Sequence, residues 1–195
     1  MQSIFAEAGV YEAKLTEAAT AADLFEGYPD GHSHRVAWVV DSIGSVLGLE
    51  AHDRFFLRQA ALARNTGEMQ MNRSYITVPR LLSSDERLDL QRHPVIGEQW
   101  CAKNGLSRGV QLIVRWHHEW WNGCGYPDAL EGEQIPLAAR ILRLVDTYSA
   151  LTENRVFREA LTDETARRFL IEWAGIEFDP AVVRAFVSLP VDEVN

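Results

Sequence analysis

Residues 116–127 read Trp116-His117-His118-Glu119-Trp120-Trp121-Asn122-Gly123-Cys124-Gly125-Tyr126-Pro127: two adjacent histidines, a carboxylate and three tryptophans ahead of a Gly-x-Gly-Tyr-Pro turn. Neighbours on a helix project about 100° apart, so His117 and His118 reach one ligand cluster only from a helix end or a pocket wall. The residues that follow supply that end, because Gly123 and Gly125 permit left-handed dihedrals and Pro127 halts helix propagation. Upstream, the apolar run Val110 to Trp116 predicts the helix that delivers the histidines. Downstream, Leu137 to Leu151 predicts a core helix.

Helical spacing recurs outward from this stretch. Ile4 to Phe25 carries apolar residues at Val10, Leu15, Ala18, Ala22 and Phe25, and turn residues at Gly27, Pro29 and Gly31 break it. Val36, Val39, Val40, Ile43, Val46 and Leu47 form one apolar face of a helix over 32–49. Residues 69–82, with one proline, read as a loop. Ser83 and Glu86 have capping-box spacing and open a helix expected to run to about Ala102, with Leu88, Leu90, Val95, Ile96 and Trp100 as its buried stripe. A helix from Thr162 to Ala174 follows. Asp179-Pro180 then starts another as N-cap and first helical residue, with Trp173, Phe178, Val182 and Phe186 in the core.

The chain has 195 residues, 47% hydrophobic and 24% charged, which suits one soluble domain with a substantial core. Its longest apolar runs fall far short of the roughly 20 residues that span a bilayer, so a cytoplasmic, membrane-free location is expected. A net charge of -9 without a Lys/Arg cluster excludes a general nucleic-acid surface. Cys101 and Cys124 are too far apart for a close-spaced metal pair and read as free thiols.

The 117–127 stretch resembles the HHE-x-x-DG-x-GYP signature of HD-GYP domains, and residues 128–146 resemble the segment that follows it there. The likeness runs from about Tyr28 to Phe186. It implies an all-α fold, a single HD-domain-like bundle of about seven to nine helices spanning 28–195. Residues 1–27 are left as an N-terminal packing or dimer-forming helix. In the family two or three metal ions hydrolyse the bacterial second messenger cyclic di-GMP.

By the same resemblance, His32, His93, His117, His118 and Asp146 stand at metal-ligand positions. Tyr28 stands where three-metal members carry a glutamate, so no third ion is expected. His32 also reads as a simple helix cap. Ser149 replaces the second aspartate of the late helix, and Asn122 the aspartate of the DG pair. His52-Asp53 is an HD dipeptide at the polar start of a helix and reads as solvated surface. The family's pair instead follows an apolar run of the type AALLHDIGK, which here is AALARNTGE, residues 60–68. Arg64, Asn65 and Glu68 therefore occupy the His, Asp and Lys positions. A guanidinium has no lone pair, and the neutral amide is a weaker ligand than a shared carboxylate. About 4 Å from a divalent cation, Arg64 would add roughly 8 kcal/mol of repulsion at an effective dielectric near 20.

Two states of the pocket follow. In one, three histidines and Asp146 hold a single Zn, Fe, Mn or Ni ion. In the other the pocket is vacant or filled by Arg64, paired with Glu119, Glu68 or Asp146. Glu119, Gly123, Gly125, Tyr126 and Pro127 form the expected ligand or partner loop. Arg140, Arg155 and Arg158 match family arginines that either pair with carboxylates or meet an anionic ligand. The leading expectation is a degenerate domain that binds a cyclic dinucleotide or a signalling protein, with homodimerisation through the first helix also open. An active phosphodiesterase with a mononuclear site is the alternative.

Overall fold

The computed structural model describes residues 2–28, 31–78, 80–154 and 159–190, with side chains from residue 13 onward. Among the described residues ten α-helices follow one another: α1 (Gln2–Glu26), α2 (His32–Val46), α3 (Ala51–Ala63), α4 (Thr66–Met71), α5 (Ser84–Leu90), α6 (His93–Lys103), α7 (Arg108–Trp116), α8 (Leu137–Thr152), α9 (Asp163–Glu172) and α10 (Pro180–Ser188). Short 3-10 turns lie at Ser74–Thr77 and Gly132–Gln134, and no strand forms among the described residues. The fold is all-α, as the resemblance implies. Arg155 and Arg158 lie outside the described residues.

α8 runs through the centre and touches α2, α3, α7, α9 and α10. Its apolar face (Ile141, Leu142, Leu144, Val145) is buried together with Val36, Val40 and Ile43 of α2, Leu57 and Ala60 of α3, and Val110 and Val114 of α7. The 3.6-residue period puts these side chains on the inner stripes of four helices, and their burial is the main driving force for the bundle. α1 lies on α2, α3 and α4. Leu15, Ala19 and Ala22 are apolar positions that it buries, with Asp23 a buried polar one.

Three local expectations are corrected. The helix expected from Ser83 to Ala102 is two, because Pro94 lacks an N–H and its ring collides with the carbonyl four residues back. The break resets the helical phase, so Leu88 is 67% exposed and the buried residues of α6 are His93, Pro94, Gly97 and Cys101. The expected loop after Glu68 is partly helical, α4 continuing to Met71 before a left-handed Asn72 ends it. On α2 Val46 leaves the apolar stripe, being 52% exposed, while Leu47 beyond it packs against the core. The Ser83/Glu86 capping box and the Asp179 cap form as expected, and His52 and Asp53 lie in solvent.

Candidate metal centre and adjoining cavity

Backbone approach sets the site. α4 lies on α6 so closely at Gly67 that a Cβ there would sit 2.0 Å from the His93 carbonyl oxygen. Any side chain at 67 would push Arg64 and Asn65 away from His93. α7 ends at His117, its C-cap residue. The adjacent histidines thus leave the helix where they can face one point.

His93, His117 and His118 offer ligand atoms within 4.8 Å of one another. His93 Nδ1 lies 2.9 Å from the Leu90 carbonyl and His117 Nδ1 2.6 Å from that of Val114. A carbonyl only accepts, so both Nδ1 atoms carry the hydrogen and both Nε2 atoms carry the lone pair. Those Nε2 atoms are buried and have no partner. Burial first, then the neighbouring His117, pushes His93 down to about 3. Burial lowers His117 to about 4, and holds His118 well below the usual imidazole range. All three are neutral at physiological pH, the form that ligates.

Arg64 fills the other half. It is completely buried. Nε donates to Asp146 Oδ1 at 2.7 Å, Nη1 to Ser33 Oγ at 3.0 Å and the Ala61 carbonyl at 2.8 Å, and Nη2 to His32 Nε2 at 2.6 Å. His32 therefore carries its hydrogen on Nδ1, which donates to Glu153 Oε1 at 2.9 Å, and Tyr28 stacks on its ring at 3.7 Å. Ser33 in turn donates to Asp23 through its backbone N–H and hydroxyl, at 2.9 and 2.6 Å. The polar chain Asp23–Ser33–Arg64–Asp146 joins α1, α2, α3 and α8. Burial pushes the Asp146 carboxyl upward, but the Arg64 charge and hydrogen bond outweigh it and keep the group ionised.

Sequence-identified ligands thus separate into two groups. The three histidines come together, while His32 and Asp146 face the guanidinium. Donor chemistry fits one ion at the histidines, through the preoriented Nε2 lone pairs of His93 and His117, and does not fit a second where Arg64 lies. Asn65, Glu68, His118, Arg143, Asp146 and Thr147 line an adjoining cavity of about 360 Å³. Burial and the Asp146 charge raise the Glu68 carboxyl to about 7, Arg64 opposing the shift.

The Gly-Tyr-Pro loop is pinned at many points. Glu119, 2% exposed, accepts from the Asp128 and Leu130 N–H groups at 2.7 and 3.1 Å. Tyr126 N–H donates to the His118 carbonyl at 3.1 Å, and its ring stacks on His118 at 5.0 Å. Gly125 is required by close approach, a Cβ there falling 2.2 Å from the Trp120 nitrogen. Arg115 and Trp116 both donate to the Asp128 carboxylate. Arg140 donates to Asp179 at 2.6 Å and stands over the Trp121 ring, so it meets a carboxylate.

The sequence reading missed Arg143, which places Nη1 2.7 Å from His118 Nδ1 and Nη2 2.5 Å from Glu177 Oε1. A signal was present, since Arg143, Asp146 and Ser149 form a polar stripe at three-residue spacing on an otherwise apolar helix.

An HD domain family model matches residues 20–182. The chain belongs to the HD domain family. This HD domain is 33% identical over 175 residues to a cyclic di-GMP phosphodiesterase response regulator of Xanthomonas campestris pv. campestris (strain 8004), covering 89% of this chain and 46% of the relative. It is 36% identical over 140 residues to a cyclic di-GMP phosphodiesterase of Vibrio cholerae, covering 68% and 28%. A 3'3'-cGAMP-specific phosphodiesterase of the same organism is 29% identical over 172 residues, covering 87% and 33%. The chain thus spans less than half the length of these relatives. Among solved structures, a cyclic GMP-AMP specific phosphodiesterase of V. cholerae superposes with a TM-score of 0.70 at 23% identity, covering 89% of this chain and 47% of that one. An HDGYP protein of Bdellovibrio bacteriovorus gives 0.64 at 16%, covering 90% and 62%. These two likenesses support the fold. No helix among the described residues is long and apolar enough to cross a membrane.

Proposed function

We propose that this HD domain is a catalytically degenerate member that acts in the bacterial cytoplasm as a binding or interaction module in cyclic-dinucleotide signalling, with weak or no phosphodiesterase activity. The observation that carries this reading is the buried Arg64 guanidinium, bonded to His32, Ser33, Ala61 and Asp146. Two-ion hydrolysis needs cations on both the attacking and leaving oxygens, and a fixed cation without a lone pair replaces one of them. Glu68, at the position of the lysine in the HD-GYP signature that residues 60–68 resemble, leaves the cavity without that cation where a phosphate would enter. The half-exposed Gly-Tyr-Pro loop is the contact surface in this reading, a cyclic dinucleotide or a signalling protein its partner, and residues 1–27 a packing or dimer-forming element.

A second reading, a mononuclear metal-dependent phosphodiesterase, is favoured by one observation: the partnerless Nε2 atoms of His93 and His117. Together with His118 they would hold one divalent transition ion, which would supply Lewis acidity and an activated water. Protein purified without chelator should contain at most one ion per chain and hydrolyse cyclic di-GMP at background rate with Mn or Fe added. Turnover that His118→Ala abolishes would establish the second reading and end the first.

A further inference from the structure

The three clustered histidines are not equivalent. His93 and His117 donate from Nδ1 to a carbonyl of their own preceding turn and keep a buried, partnerless lone pair at Nε2. His118 is held by Arg143, whose Nη1 lies 2.7 Å from Nδ1. A guanidinium has only N–H donors, so this bond consumes a ring lone pair, and a neutral imidazole has just one. Whichever nitrogen faces an incoming cation, His118 has nothing to give while Arg143 stays in place. Arg143 also sets a permanent positive charge beside the cluster.

Arg143 is anchored at its far side. Nη2 donates to Glu177 Oε1 at 2.5 Å, and the Thr147 hydroxyl lies 3.4 Å from the same oxygen. The Arg143 Nε atom is buried without a partner, so the side chain's placement rests on its two outer nitrogens. Beside it lies the cavity of about 360 Å³ that Arg143 and Thr147 both line, with Glu68 and Asp146 as carboxylates on its wall. The guanidinium therefore has an open space, lined by carboxyl groups, into which it can withdraw.

We propose that Arg143 gates the histidine cluster: on His118 it leaves two donors and repels cations, and on withdrawal it releases the third donor of a single-ion, three-histidine site for a divalent transition metal. The gate rests on the preceding reading that this pocket takes no more than one ion. Glu177 sets the gate's position. Its carbonyl accepts from the Trp121 N–H at 3.1 Å, and that of Ile176 from Asn122 at 3.0 Å, so the anchor also touches the Gly-Tyr-Pro loop.

The test uses the full chain, stripped with chelator and titrated with Zn²⁺ by calorimetry and with Co²⁺ by visible absorption. Arg143→Met should raise Zn²⁺ affinity about tenfold or more, the size of effect that groups bonded to metal ligands exert. The same variant should intensify the Co²⁺ bands as a histidine is added to the ion. Adding His118→Ala should remove the gain. Because Arg143→Met leaves Glu177 buried and unpaired, the double variant Arg143→Met/Glu177→Gln removes both charges and carries the test if the single variant fails to fold. An affinity indistinguishable from wild type, or a gain that survives His118→Ala, overturns the gate. Two ions per wild-type chain overturn the preceding reading as well, and the stoichiometry separates that failure from a failure of the gate alone.

Discussion

The two halves of the centre differ in how their polar atoms are satisfied. Around Arg64 the guanidinium nitrogens meet Asp146, Ser33, the Ala61 carbonyl and His32, and His32 passes its remaining hydrogen to Glu153. Around His93 and His117 two buried ring nitrogens have no partner. Buried polar groups are rarely left so, because an unmade hydrogen bond costs about 1–3 kcal/mol. One half has thus become a closed cross-link made of side chains, while the other retains donors shaped for something outside the chain. A guanidinium and a metal ion are both cations that tie carboxylate and imidazole together, and only the ion offers coordination sites to a substrate.

The largest test of this contrast converts one half into the other. Arg64→His/Asn65→Asp/Glu68→Lys restores the lone pair, the shared anion and the cavity cation, and is expected to raise bound metal from at most one ion per chain to two, read by elemental analysis. If metal content stays unchanged, Arg64 is not what excludes the second ion. Next in size, Arg64→Ala leaves the half-buried Asp146 and the buried His32 without their cation and should destabilise the fold by about 3 kcal/mol in urea unfolding. A much smaller loss would mean that the Arg64 half is no cross-link.

Glu119→Gln should cost about 2 kcal/mol, because one amide oxygen cannot accept both loop N–H bonds and its NH₂ would face a donor. The same variant should leave metal content unaltered, which separates loop support from ligation. A surface pair outside both halves gives the scale. The Arg54 hydrogen bonds hold the Asp41 carboxyl below its ordinary range, burial opposing and Arg58 adding to the effect. A depressed folded value stabilises above the unfolded pKa of about 4, and this contribution disappears as pH falls through the folded value. Asp41→Asn should therefore cost less than about 1 kcal/mol near neutrality and converge with wild type in acid.

Much of the helical order was legible in the sequence, since apolar period and caps act within a few residues: Ser83/Glu86 and Asp179-Pro180 start helices where their chemistry requires. The split before His93 was legible too, in Pro94, but the continuous apolar pattern around it concealed the change of phase. That Arg64 and Asn65 stand where the resemblance puts an HD pair could be read from residues 60–68 alone, and Asp146 was one of three carboxylates that charge complementarity offered to Arg64. Glu119, another of the three, holds the loop backbone instead. Arg143 went unread because its partners, His118 and Glu177, lie 25 and 34 residues away in sequence, beyond the reach of any local charge spacing.

The sequence by itself therefore determined which groups are present: a cation with no lone pair at 64, an amide at 65, imidazoles at 93, 117 and 118, and the periodicity that makes each neighbouring segment a helix. Only the tertiary structure decided who meets whom. His32 lies 121 residues from Glu153, and Arg64 lies 82 from Asp146. Contacts of that range depend on how α2, α3 and α8 pack, and helix packing is set by the whole buried surface rather than by the few polar residues that packing brings together.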